Sequence, residues 1–238
     1  MQAITVCVDY ADILKWTLPA NYHQFDKMVV VTEERDEDTI SLCKFYDVEY
    51  VLAPGNKGEK INAGIRHLRP GGWIVQMDAD IWLPPQTINI IRRLDLDETA
   101  LYGIDRCMCT DYDEFVRFLD GKSQPYAEKF FTVPPFDISP RVCQHYGKGY
   151  IPIGYFQLWH PLGSSRFTYP TIHDYDGIYA RTDVQHAVTF QRRHLIPEVL
   201  CVHLEQGHNT MGANWNGRTT PTFGPFAGVT QNDQKITL

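Results

Sequence analysis

Apolar residues along this chain fall into short β-branched runs separated by stretches of helical spacing. The first run covers residues 3–8 and ends in Asp9-Tyr10-Ala11-Asp12, a polar turn. Met28-Val29-Val30-Val31 is the second, ending at Thr32 and Glu33. From about Asp36 to Tyr46, Ile40, Leu42, Cys43, Phe45 and Tyr46 take helical positions. Glu49-Tyr50-Val51-Leu52 gives a third strand, broken by Pro54-Gly55. Residues 58–68 read as a helix with Ile61, Ile65 and Leu68 on one face. A fourth strand over residues 73–77, a helix from Thr87 to Leu94 and a strand over 100–104 follow. Strands alternating with helices predict βαβ units and a largely parallel sheet.

The second half reads differently. From Gly121 to Asp176 it is rich in Pro, Gly and aromatic residues, with a strand-like piece at residues 154–159. Asp183 to Arg193 has helical spacing, and residues 199–204 make a last core strand. Residues 207–228 form a polar Gly/Asn/Thr/Pro-rich tail, expected to lie over the sheet edge. No repeat or low-complexity linker interrupts the chain, so a single domain over 1–238 is expected.

At 238 residues, 43% hydrophobic and 21% charged, the composition is that of an ordinary globular domain. A net charge of −7 argues against a broadly basic nucleic-acid surface, although Lys57, Lys60, Arg66 and Arg69 cluster locally. No apolar run approaches a membrane span, and the N-terminus lacks a basic stretch followed by an apolar signal core. The six cysteines contain no Cys-x-x-Cys pair. Cys7, Cys43 and Cys201 sit in apolar contexts, which predicts reduced core thiols in a cytoplasmic protein.

The chemistry concentrates where the Trp73 run ends. Gly71-Gly72 opens it, Asp78-Ala79-Asp80 closes it, and Pro84-Pro85 stops the strand. Two acids at the carboxyl end of a core strand point into the crevice where open α/β sheets bind ligands. Carboxylates so spaced suit Mg²⁺ or Mn²⁺, whose remaining ligands a diphosphate supplies. Asp80 also fits the N-cap of a helix starting near Pro84. Four further features accompany the acids. The strand ends at Asp9, Tyr10, Asp12, Thr32 and Glu33 face the same crevice, where Tyr10 would stack on a base and a neighbouring acid or hydroxyl would bond its edge. Gly55-Asn56-Lys57-Gly58-Glu59-Lys60-Ile61-Asn62-Ala63-Gly64 opens a helix with two lysines, which suits a phosphate although it is neither a Walker loop nor Gly-x-Gly-x-x-Gly. Gly64 inside that helix is costly unless something packs closely against it. His203 ends the last strand, and Asp183 begins a helix as either a first-turn acid or a base.

Lys57-Gly58-Glu59-Lys60-Ile61-Asn62-Ala63-Gly64-Ile65 followed by Met77-Asp78-Ala79-Asp80 resembles the nucleotide-sugar half of GT-A-fold glycosyltransferases, in particular family-2-like members. The likeness covers residues 3–105 and, more loosely, 154–208. It implies an α/β, Rossmann-like, mostly parallel sheet flanked by helices. Residues 1–105 would bind the nucleotide sugar, 106–206 would form an elaborated acceptor and catalytic half, and 207–238 a lid. Asp80 would bind the divalent metal, with Asp78 on the metal or donor ribose and His203 as third ligand. Thr32 and the Tyr10–Asp12 turn would hold the nucleobase, and Lys57, Lys60 or Asn62 would face the nucleotide or donor sugar. Asp183 matches the catalytic acid that in inverting members deprotonates the acceptor hydroxyl. Thr182-Asp183 stands where the family has Glu-Asp, so Asp174 and Asp176 are further candidates. Tyr155, Phe156, Trp159, Tyr179 and Trp215 are candidates for an acceptor platform, and Arg218 for a lid contact to the diphosphate.

The implied activity is transfer of a sugar from a nucleotide-diphosphate sugar, UDP-linked by expectation, to a hydroxyl acceptor. A glycan or a hydroxymethylated DNA base of a phage would serve as acceptor, with Mn²⁺ or Mg²⁺ as cofactor. A sugar-phosphate nucleotidyltransferase shares such a sheet, but its Gly-rich loop after the first strand is replaced here by Asp9-Tyr10-Ala11-Asp12. A non-catalytic nucleotide or glycan binder has less need of Asp78 and Asp80.

Overall fold

The β-branched runs become the strands of one sheet in the computed structural model, which describes residues 1–109, 112–122, 150–152, 154–163, 168–171 and 181–204. The strands are β1 (Gln2–Val6), β2 (Lys27–Thr32), β3 (Glu49–Leu52), β4 (Ile74–Met77), β5 (Ile81–Trp82), β6 (Ala100–Cys109), β7 (Phe156–Trp159) and β8 (Arg192–Leu204). Their order is β3-β2-β1-β4-β7-β6-β8-β5. Pairing is parallel among β1, β2, β3 and β4 and between β6 and β8, while β7 runs antiparallel between β4 and β6 and β5 antiparallel to β8. Described helices are α1 (Ala11–Asn21), α2 (Glu37–Phe45), α3 (Lys57–Ile65), α4 (Thr87–Ile91), α5 (Tyr112–Leu119) and α6 (Arg181–Val188).

Both faces of the front half of the sheet are covered. Ala3, Met28, Val30 and Val75 belong to one buried cluster, whereas Ile4, Val29, Val31 and Ile74 belong to another. Alternate side chains point to opposite faces, so a strand buried on both reads as a continuous apolar run. That is why these strands are legible without alternation. Cys7, Cys43 and Cys201 are free and buried, as their apolar contexts predict.

The sequence reading needs four changes. Residues 11–21, which lack a prediction, form α1 despite Pro19 near its end. The polar stretch from Asp9 to Asp12 is therefore a turn running into a helix. α5 is also unpredicted. The chain beyond Asp80 re-enters the sheet as the two-residue β5 before Pro84 stops it. Finally, the helix expected over 183–193 ends at Val188, and β8 starts at Arg192. Pro197 hid that strand. β8 accommodates it in a bulge, because Ile104 pairs with Ile196 and the next residue, Asp105, with Leu200. Residues 197–199 stand outside the ladder, where the missing proline N–H costs nothing.

α3 lies against β1 and β2, and Gly64 makes that approach possible. A Cβ there would stand 2.8 Å from Ile4 Cγ2 and 2.9 Å from Val31 Cγ2. Helix propensity favours alanine over glycine by about 1 kcal/mol. The overpacking cost is larger, so Gly64→Ala is expected to destabilise the protein by about 1–2 kcal/mol net. Urea unfolding measures this, and an unchanged or raised midpoint would refute the close approach.

Candidate active site

β1 leads to β2 and β3 on one side of it, while β4 lies on the other. The carboxyl ends of β1 and β4 thus flank the position where the strand order reverses, the usual ligand crevice of an open α/β sheet. Asp78 and Asp80 leave β4 there. Their backbone is tied on two sides. From α1, Thr17 Oγ1 donates to the Ala79 carbonyl at 2.6 Å. Asn21 donates to the Ile81 carbonyl at 2.7 Å and accepts from Leu83 N–H at 2.9 Å. From the other side, Ile81 pairs with His203, and the Leu204 N–H donates to the Asp80 carbonyl at 2.8 Å. This register sets His203 Nε2 3.3 Å from Asp80 Oδ2.

Each carboxylate has a distinct environment. Asp80 is buried, and its Oδ1 has no hydrogen-bond partner among the described residues. Asp78 Oδ1 accepts from Lys57 Nζ at 2.6 Å and from Gln76 Nε2 at 3.2 Å. Burial raises the Asp78 pKa, with Lys57 opposing and Asp80 adding to the rise. Burial also disfavours the Lys57 ammonium, but the charges of Asp78, Asp183 and Asp80 outweigh it and hold its pKa above the ordinary value. Asp183, in the first turn of α6, accepts from the Gly154 N–H at 2.6 Å and the Val184 N–H at 2.9 Å. Burial lifts its pKa against the pull of Lys57 and of those two N–H groups. A side chain at position 154 has no room, since a Cβ would meet Asp183 Oδ2 at 2.7 Å and Lys57 Nζ at 3.1 Å.

Below these acids lies a buried polar layer. Gln157, opposite Gln76 in the β4–β7 register, donates to the carbonyls of Pro152 at 2.8 Å and Asp183 at 3.0 Å. It accepts from the Tyr169 hydroxyl at 2.6 Å. His186, one turn beyond Asp183, is buried against Tyr169, Trp159 and Phe190 at ring separations of 4.3, 4.7 and 5.3 Å. Burial pushes its pKa down to about 3.

The structure thus brings together Asp78, Asp80, His203, Lys57 and Asp183 around the end of β4. Other candidates are used by the fold instead. Tyr10 is fully buried in the core, so its ring is not open to a base. Thr32 is also fully buried and donates at 2.8 Å to Asp36, which caps α2 through Thr39 N–H and accepts from Asp9 N–H. Lys60 is buried with its ammonium on Glu33 at 2.8 Å and on the Gly55 carbonyl, which leaves no exposed cation for a phosphate. Asn62 exchanges two hydrogen bonds with the Tyr169 backbone, at 2.8 and 2.6 Å, and so does not face a nucleotide. Asp12 sits in the first turn of α1, where its charge favours the helix start. Of the proposed aromatic platform, Tyr155, Phe156 and Trp159 are core residues. Arg218, Asp174, Asp176, Tyr179 and Trp215 lie outside the described residues.

Sequence reasoning missed Gln76, Gln157 and Arg106. The two glutamines were findable, as each interrupts an otherwise apolar strand run. Arg106, whose Nη1 lies 2.6 Å from His203 Nδ1, follows a strand that the sequence reading ended at Ile104.

A divalent cation fits this site in part. Among the described residues no three His, Cys, Asp or Glu side chains surround one point. The unpartnered Asp80 oxygen and the adjacent His203 ring instead offer two ligands, which suits a cation completed by diphosphate oxygens and water.

No protein-family model matches this chain, and no curated protein matches it. Among solved structures it is similar to glucosyl-3-phosphoglycerate synthase from Mycobacterium tuberculosis in complex with Mn²⁺ and UDP-glucose. That match has a TM-score of 0.52 and 12% identity, over 90% of this chain and 74% of that one. A mycobacterial protein aligns at TM-score 0.49 and 14% identity, over 90% and 70% of the two chains. 4-Diphosphocytidyl-2C-methyl-D-erythritol synthase from Anaerococcus prevotii aligns at 0.33 and 18% identity, over 48% and 60%. The last two likenesses are too slight to bear on the fold. The first establishes the architecture as the GT-A-type α/β fold.

His186 gives this region a pH signature. Its folded pKa of about 3 lies below the unfolded value near 6.5, so protonation favours the unfolded chain. Its contribution to stability is complete above about pH 6.5 and is lost progressively toward pH 3. At about pH 4.5 the loss amounts to about 2–3 kcal/mol. Comparing denaturant unfolding of wild type and His186→Phe at pH 7.5 and 4.5 isolates it, and equal acid sensitivity would contradict the buried, neutral imidazole.

Proposed function

We propose that this chain is a metal-dependent glycosyltransferase that moves a sugar from a nucleotide-diphosphate sugar, UDP-linked, to a hydroxyl acceptor. The observation that carries this reading is the pairing of Asp80 with His203 beside Asp78, Lys57 and Asp183, at the switch point of a GT-A-type sheet. The Mn²⁺ and UDP-glucose in the similar synthase support the donor and metal classes.

In this reading Asp80 and His203 hold the cation, and Asp78 faces the metal or the donor ribose. The cation supplies Lewis-acid stabilisation of the leaving diphosphate. Asp183 acts on the acceptor. As the acceptor oxygen bonds to the anomeric carbon, the bond from that carbon to the diphosphate breaks, and its electron pair leaves with the nucleotide. The hydroxyl proton passes to Asp183. Desolvation favours that transfer, because a carboxylate whose pKa is raised is the stronger base. The N–H groups of Gly154 and Val184 fix its orientation, leaving lone pairs for the incoming proton. Lys57 favours the charged form of the neighbouring Asp78 and Asp183 carboxylates. Arg218 is proposed to reach the diphosphate from the tail.

Two measurements test this reading. UDP should raise the melting temperature with Mn²⁺ far more than with EDTA, and Asp80→Asn should abolish the difference. Equal shifts with and without metal would sink the cation bridge. Asp183→Asn should retain the metal-dependent UDP shift and lose transfer by about 10²–10⁴-fold in a nucleotide-sugar screen. Full activity would remove Asp183 as the base.

A further inference from the structure

Arg106 reaches the site from β6, and its surroundings leave it little choice of direction. Its guanidinium lies over the Tyr155 ring, 4.6 Å from the centroid. That ring is anchored by its hydroxyl, which donates to the Ile104 carbonyl, and is stacked beside His203 at 6.3 Å. The parallel β6–β8 register pairs Arg106 with Cys201, two residues before His203. Arg106 Nη1 then meets His203 Nδ1 at 2.6 Å.

That contact decides which ring nitrogen carries the proton. A guanidinium has only N–H donors, so Nδ1 must accept. A neutral imidazole has one N–H, which then sits on Nε2, facing Asp80 Oδ2 at 3.3 Å. In that form Nε2 donates to Asp80 and has no lone pair for a cation. A metal-bound histidine needs the opposite arrangement, a bare nitrogen on the metal and the other N–H given to an acceptor. Arg106 cannot be that acceptor.

From this conflict we infer that Arg106 is a positioning residue that locks His203 in its Nε2–H tautomer in the cation-free protein, and that a divalent cation engages His203 only after the guanidinium leaves Nδ1. The inference rests on the proposed role of Asp80 and His203 as cation ligands. It makes Arg106 an antagonist of cation binding and Asp80 the cation's first contact.

Long-range ¹H–¹⁵N correlation of the imidazole rings, with His203 assigned by its loss in His203→Gln, reads the tautomer directly. Metal-free wild type is expected to show a bare Nδ1 and a protonated Nε2. Arg106→Gln, whose amide oxygen can accept, and Arg106→Met, which keeps an unbranched stem against Tyr155, should release this preference. Both variants should bind Mn²⁺ roughly tenfold or more tighter, followed by the electron-resonance signal of free Mn²⁺. Arg106→Lys, still only a donor, should stay near wild type. Placing Arg106→Gln in a His203→Ala background should erase the gain. A bare Nε2 in wild type, unchanged Mn²⁺ affinity in both neutral variants, or a gain that survives without His203 would each overturn the lock; the last would mean simple removal of a positive charge. If the tautomer is as expected but no variant binds Mn²⁺, the proposed cation site fails and the lock stands.

Discussion

Burying carboxylates at the end of a central strand is the constraint that organises this molecule. An isolated buried charge costs many kcal/mol, and a buried pair is tolerated only with close partners and further hydrogen bonds. Lys57 is the partner. It is delivered by the first turn of α3, whose start is fixed by the reciprocal bonds of Asn56 and Glu59, and its ammonium acts on Asp78 and Asp183 together. Without it, the first acid after β4 and the first-turn acid of α6 would face each other unscreened. The absence of a side chain at Gly154 leaves room for that lysine beside Asp183, since a Cβ there would stand 3.1 Å from Lys57 Nζ.

The other half of the site depends on strand register. Asp80 carries no strand pairing of its own, yet β5 begins one residue later and pairs Ile81 with His203. A one-residue slip would turn His203 to the opposite face. α1 holds the same segment from behind through Thr17 and Asn21, two buried polar residues that bond the backbone between Ala79 and Leu83. The Asp80–His203 pair is thus fixed in place because two elements distant in sequence, α1 and β8, bond one five-residue stretch of main chain.

This explains what the sequence could and could not disclose. The parallel strands were legible because burial on both faces leaves continuous apolar runs, and the two acids stood out against such a run. α1 was not, since Pro19 and the polar turn before it mask a helix whose purpose is to bond a loop. β8 was cut short because Pro197 looks like a terminator until a partner strand absorbs it in a bulge. Tyr10, Thr32, Lys60 and Asn62 show a deeper limit. A polar residue near a crevice serves either a ligand or the scaffold, and residue type does not distinguish them. Thr32 holds Asp36, Lys60 holds Glu33, and Asn62 holds the backbone of Tyr169. Only the positions of their partners assign them to the scaffold.

The charges that remain point to the missing component. Among the described residues at the site, Asp78, Asp80 and Asp183 carry three negative charges against the two positive charges of Lys57 and Arg106. Lys57 serves Asp78 and Asp183, and Arg106 is directed at a ring nitrogen rather than at Asp80. Among these residues the deficit falls on Asp80, which is also where a buried oxygen has no described hydrogen-bond partner. Other buried atoms are also without a described partner, Gln76 Oε1 and His186 Nε2 among them, but of these only the Asp80 oxygen belongs to a carboxylate at the end of β4. A neutral donor would partner that oxygen but leave the charge, whereas the divalent cation of the proposed reading would meet both. In the proposed reading the same geometry would have that cation shared with its ligand. One carboxylate and one histidine cannot fill a six-fold shell, so in that reading water and the oxygens of a diphosphate would supply the rest.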